Sequence, residues 1–63
     1  MCDINAYLLE SGRETMILEN VEEVRTEGDQ VFLANIFGEE RTLKARMKSY
    51  INSQKKMILE PTR

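Results

Sequence analysis

The stretch Arg41-Thr42-Leu43-Lys44-Ala45-Arg46-Met47-Lys48-Ser49-Tyr50-Ile51 decides the fold of this 63-residue chain. Its composition leans toward helix, since Leu, Lys, Ala, Arg and Met are good helix formers. Its period says strand: Leu43, Ala45, Met47, Ser49 and Ile51 alternate with Thr42, Lys44, Arg46, Lys48 and Tyr50. A period of two places each set on its own face of a pleated strand, whereas on a helix the same residues spread around the axis. Period outranks propensity, which tertiary packing routinely overrides, so the stretch reads as one long strand over 41–51.

The flanking segments agree with that reading. From Asp3 to Leu9, Ile4, Ala6 and Leu8 alternate with Asn5, Tyr7 and Leu9. Glu10-Ser11-Gly12-Arg13 is a turn, and Glu14–Glu19 returns as the second arm of a hairpin. Asn20 interrupts the pattern. Val21–Glu27 then fits either a helical turn or a kinked, bulged strand. Gly28-Asp29 is the strongest turn signal, followed by a strand at Gln30–Ile36 whose Val31-Phe32-Leu33-Ala34 is apolar on both faces. Phe37-Gly38-Glu39-Glu40 turns the chain into 41–51. Asn52-Ser53-Gln54 turns it once more, into a last strand over Lys55–Glu60. Five to six short strands in so few residues predict an all-β protein, a small antiparallel SH3-like barrel or half-barrel. It is a single domain over residues 1–60, and Pro61-Thr62-Arg63 is expected to fray.

Composition bounds the function. Apolar residues make up 41% and charged residues 32%, as in a globular domain, and the net charge is −2. Overall charge therefore supplies no pull toward nucleic acid or an anionic membrane. No apolar run is long enough to span a bilayer. Met-Cys-Asp-Ile-Asn at the start does not read as a signal peptide, so a cytoplasmic, reducing location is expected. A chain this short buries only roughly 60% of its unfolded surface, which leaves a thin stability margin. A single cysteine rules out an intrachain disulfide, so a metal, a partner subunit or both are the expected supports.

Chemistry is scarce. With no His in the chain, no imidazole base is available to activate a nucleophile. The three glycines fall in three separate turns and do not build a phosphate-binding loop. The eleven carboxylates fall mostly in turns or on polar faces. The expectation is a protein that is not an enzyme. Cys2 is the one side chain fitted to chemistry. A thiol so near a chain terminus is exposed rather than locked in a core, and exposed thiols oxidise unless they have a use. If Met1 is removed, thiolate and α-amine lie on adjacent carbons and chelate one metal in a five-membered ring. If Met1 stays, the deprotonated amide of Cys2 takes the place of the amine. Soft thiolate suits Cu(I), Zn or iron–sulfur chemistry, and a tetragonal nitrogen-containing site suits Cu(II) or Ni(II). Structural zinc asks for four Cys or His ligands, more than even a dimer of this chain supplies. Two Cys2 residues, each with one nitrogen, make a planar S₂N₂ site that suits Ni(II). The lone cysteine thus couples the metal reading to a two-fold homodimer.

Met1-Cys2, Ala6-Tyr7-Leu8, Val24 with Glu27-Gly28-Asp29, Ile36-Phe37-Gly38-Glu39 and Met57-Ile58-Leu59-Glu60 together resemble the CooT family. These are tiny bacterial and archaeal proteins named for a nickel-binding accessory protein of carbon monoxide dehydrogenase. The resemblance extends over essentially the whole chain. It implies a β-barrel-like protomer, a homodimer, and one Ni(II) per dimer bound through Cys2, for storage, delivery or sensing. Asp3 carries over only as a neighbour whose backbone contributes. The motifs hold no signature of an enzyme partner, so on them alone the link to carbon monoxide dehydrogenase is not carried over. A nickel-enzyme client stays open.

Some members of that family have been described as predicted RNA-binding proteins, which makes the basic face the competing reading. Lys44, Arg46 and Lys48 would share one face of a strand over 41–51, with Arg41, Lys55 and Lys56 nearby, and a basic stripe can follow a phosphate backbone or seat a protein adaptor. Lysines on a strand also serve simply to block edge-to-edge pairing. Single-strand binders interleave aromatics with such cations, and only Tyr50 is available here. Nucleic acid ranks below nickel as a partner.

Overall fold

A computed structural model describes residues 3–62. Among these, six strands form one sheet in the order β4-β3-β2-β1-β6-β5. They are β1 (Ile4–Glu10), β2 (Arg13–Glu27), β3 (Gln30–Asn35), β4 (Glu40–Leu43), β5 (Ala45–Ile51) and β6 (Lys56–Pro61), with a 3₁₀ turn at Asn52–Gln54. The all-β half-barrel expected from the alternation is the fold observed. The ladders are antiparallel except that of β1 with β6, which is parallel.

The turns follow from local chemistry. Ser11 and Gly12 join β1 to β2 with both φ angles positive, 55° and 76°. Two positive φ angles in a two-residue loop match the twist of the strands they join. Gly28, at φ 59°, opens the loop between β2 and β3, where a side chain would be strained.

Asn20 is the exception that sequence alone left open. It has φ 52°, yet β2 runs straight through it. Its amide leaves the ladder and donates to Asn5 Oδ1 at 3.1 Å. The register slips between Ile4 and Ala6, between Ala6 and Tyr7, and between Val21 and Glu23. Each slip inserts a residue into β2, and bulges bend and twist a strand. One bent 15-residue strand therefore serves both β1 and β3. Of the two readings for Val21–Glu27, the bulged strand is correct.

The expected single strand over 41–51 is divided. Lys44 alone connects β4 to β5, yet these two strands lie at opposite edges of the sheet. One residue spans at most ~7 Å between its neighbours' Cα atoms, so the sheet must curl until its edges meet. Thr62 fastens the seam: its amide donates to the Lys44 carbonyl at 3.1 Å and its hydroxyl to the Asp29 carbonyl at 2.9 Å. Pro61 is paired with Ala45 at the end of β6. Fraying was expected over 61–63; the chain is held through Thr62, and Arg63 lies outside the described residues. Alternation survives the division because Leu43 and Ala45 both turn inward on either side of exposed Lys44.

The curl encloses Ala6, Leu18, Val21, Val31, Leu33, Ala45, Met57 and Leu59. Ile4, Leu8, Ile17, Val24 and Leu43 pack around them. Phe32, on the other face of β3, is covered by the Arg25 guanidinium 4.6 Å from its ring centroid. The two-sided apolar character of β3 is thus met within one chain, while Met16 stays 48% exposed.

Candidate metal-binding end of the barrel

Cys2 lies outside the described residues, which begin at Asp3. Ile4 pairs with Val21, and Val21 pairs with Asn35 on its other side. The Asn5 amide donates to the Lys55 carbonyl at 2.9 Å, across the parallel ladder. Asp3 is exposed immediately before β1. The start of β1 therefore lies at one end of the half-barrel, beside the turn that follows β3.

That turn is built on Asn35, which is 1% exposed. Its Oδ1 accepts from the amides of Phe37 at 3.1 Å and Glu39 at 2.8 Å. Its Nδ2 donates to Glu39 Oε1 at 2.7 Å, and its amide donates to the Glu39 carbonyl at 3.0 Å. The Ile36 amide reaches across to the Asn20 carbonyl at 3.2 Å, tying the turn to β2. Gly38 closes it at φ 84°. The result presents Phe37, 61% exposed, and Ile36, 44% exposed, to solvent. Sequence reading identified the turn but missed Asn35. The available signal was an Asn ending a strand ahead of a glycine turn, the usual setting for a side chain that bonds the next amides. We expect Asn35→Ala to strand two backbone donors and lower stability by about 2 kcal/mol. In thermal unfolding that corresponds to a midpoint roughly 10–15 °C lower, and an unchanged midpoint would refute the assignment.

The basic residues do not form the expected stripe. Lys44 sits between strands, and an extra residue in β5 between Met47 and Ser49 interrupts the alternation beyond Arg46. Several of the cations are engaged. Arg46 Nη2 is 2.6 Å from Glu60 Oε1, and Arg41 Nη1 donates to the Glu40 carbonyl at 2.8 Å. Lys56 lies over the Tyr7 ring at 4.9 Å and 2.6 Å from Glu14 Oε1. The Glu14 hydrogen bond raises the Lys56 pKa. Any stabilisation from this pair is present below the unfolded lysine value near ~10.4 and fades as pH rises through the folded one, so it is constant across neutral pH. Tyr50 Oη donates to Asn52 Oδ1 at 3.0 Å.

Among the described residues, no group of three or more His, Cys, Asp or Glu side chains is placed to hold a metal ion. Cys2, the chain's one cysteine, lies outside those residues, and a thiolate with backbone nitrogen is a donor set suited to a thiophilic divalent ion in a planar site. No helix among the described residues is long and apolar enough to cross a membrane.

These features define a small all-β half-barrel with an exposed turn, built on buried Asn35, beside the start of β1. The model of the family described as "CO dehydrogenase accessory protein CooT" matches residues 1–60. The chain belongs to that family. The fold matches a crystal structure assigned to CooT from Carboxydothermus hydrogenoformans, with a TM-score of 0.88 and 26% identity over 98% of this chain and 100% of that one. No curated protein sequence matches it. The accessory role toward CO dehydrogenase, which the motifs alone did not carry, comes with the family.

Proposed function

We propose that this protein binds Ni(II) as cargo, one ion per homodimer, through the two Cys2 thiolates, and serves a nickel enzyme as a cytoplasmic, non-catalytic metallochaperone. The observation that carries this reading is the pairing of a single thiol with a fold whose described residues offer no other metal-binding cluster, in a family of accessory proteins to CO dehydrogenase. One thiolate per chain makes a two-sulfur site possible only between two chains. The remaining donors are nitrogen, from the terminal amine or from backbone amides of Cys2 and Asp3. The chain's own part is to hold the start of β1, two residues after Cys2 in sequence, through the Ile4 and Asn5 pairings. Storage and sensing would use the same site.

The homodimer has a second support. A core of this size leaves a thin margin, and Met16, Met47 and Tyr50 remain substantially exposed. We expect sedimentation of the metal-free protein at micromolar concentration to show a dimer. A monomer with and without nickel would contradict the shared site. Calorimetric titration of nickel should saturate at half an equivalent per chain. The affinity should fall as pH is lowered from about 8 to 6, because thiolate and nitrogen donors must lose protons to bind. Saturation at one equivalent per chain, indifferent to pH, would refute the reading.

A further inference from the structure

We propose that the exposed turn after β3 is the docking tip for the enzyme that receives the metal, and that it fits an apolar pocket rimmed by lysine or arginine. The identity of the partner rests on the delivery reading above; the tip and its chemistry do not. Phe37 and Ile36 are 61% and 44% exposed and take no part in the core. They stand on a turn whose buried Asn35 is fully engaged by Phe37, Glu39 and the turn backbone. A large apolar pair held this rigidly loses little freedom on binding, which is what makes a side chain an energetic anchor at an interface.

The surroundings of the tip select the partner. Glu19, Glu22, Glu39 and Glu40 are exposed around it, while Glu23 is paired with Arg25 at 3.0 Å and Arg41 donates to the Glu40 carbonyl, so carboxylates outnumber cations at the tip. Most of the other cations, Lys44, Arg46, Lys48, Lys55 and Lys56, fall in or beside β5 and β6. An apolar tip with predominantly acidic surroundings disfavours a nucleic acid. It complements an apolar pocket with a basic rim. Position supplies the last argument. Asn35, Val21 and Ile4 lie side by side on three adjacent strands, so the turn sits about 10 Å from the start of β1. A protein that seats the tip is brought to the end of the barrel where β1 starts.

The test is binding of the full chain to immobilised, nickel-free CO dehydrogenase, read by biosensor at low and high salt. Phe37→Ser should weaken binding by about 30-fold or more, the loss expected of an interface anchor. Its unfolding midpoint and nickel stoichiometry should stay unchanged, because Phe37 lies outside the core. Glu19→Lys/Glu22→Lys should weaken binding at low salt and have less effect at high salt, where charges are screened. Cys2→Ser should still dock. Loss of nickel binding with retained docking in that variant separates the tip from the metal site, so the two readings fail independently. The proposal is overturned if wild type does not bind, if Phe37→Ser binds as wild type does, if Phe37→Ser turns a dimer into monomers, or if single-stranded RNA competes for the tip.

Discussion

Replacing Cys2 by Ser should abolish high-affinity nickel binding while leaving the fold intact. An alcohol at this position ionises far above neutral pH and is a hard, weak donor, so the variant loses both charge and softness where the ion needs them. In the proposed shared site two such losses occur, one from each chain. An effect of at least 100-fold on the dissociation constant is a conservative figure, since removing even an outer-shell partner of a metal ligand costs about 10- to 100-fold. The sulfur-to-nickel charge-transfer absorption should vanish with it. Fold and dimer should persist, because residue 2 precedes the first strand and the core is drawn from β1 onward. Retained tight binding in the serine variant would move the ligands to the carboxylates, none of which are grouped for the purpose among the described residues.

The largest effect on stability is expected at Leu33. It lies fully buried in β3, opposite Val24 on one side and Arg41 on the other. Truncation to Ala removes buried methyl groups and leaves a cavity, for a loss of about 3 kcal/mol. A chain of this length has a total stability of only roughly 3–9 kcal/mol, so Leu33→Ala should be partly unfolded or close to it. Met16→Ser, at a 48% exposed position on the outer face, should shift stability by no more than about 0.5 kcal/mol. Urea unfolding of both variants at one fixed protein concentration checks the contrast, since dimer formation adds to apparent stability by mass action. Equal midpoints would mean that the core is not where the strand alternation places it.

What could be read in the sequence was what local chemistry controls. The hairpin turns at Ser11-Gly12 and Gly28-Asp29 and the shared face of Ile4, Ala6 and Leu8 follow from period and turn residues alone, whereas Val31–Ala34, apolar on both faces, left the inward set of β3 open. Asn20 was ambiguous because the distinction between a bulge and a break rests on Asn5 Oδ1, fifteen residues away in the chain. The division at Lys44 was hidden for a related reason: the alternation of Leu43 and Ala45 continues across it, and only the meeting of the two sheet edges makes the chain bend there. The parallel pairing of β1 with β6 is set by packing between the two ends of the chain, on which local pattern is silent. For the candidate site, the residue types singled out Cys2, which lies outside the described residues. The rigidity of the turn after β3 depends on where the Asn35 side chain is buried, which a strand-ending Asn only hints at.

The most direct measurement of the central claim is a native mass spectrum and an absorption spectrum of one nickel-loaded sample of the wild-type chain, with its magnetic state recorded in parallel. The account predicts a dimer carrying one nickel, a thiolate-to-nickel charge-transfer band, and a diamagnetic ion, as a planar two-sulfur, two-nitrogen site requires. A monomer carrying its own nickel, paramagnetic and without the thiolate band, would contradict it.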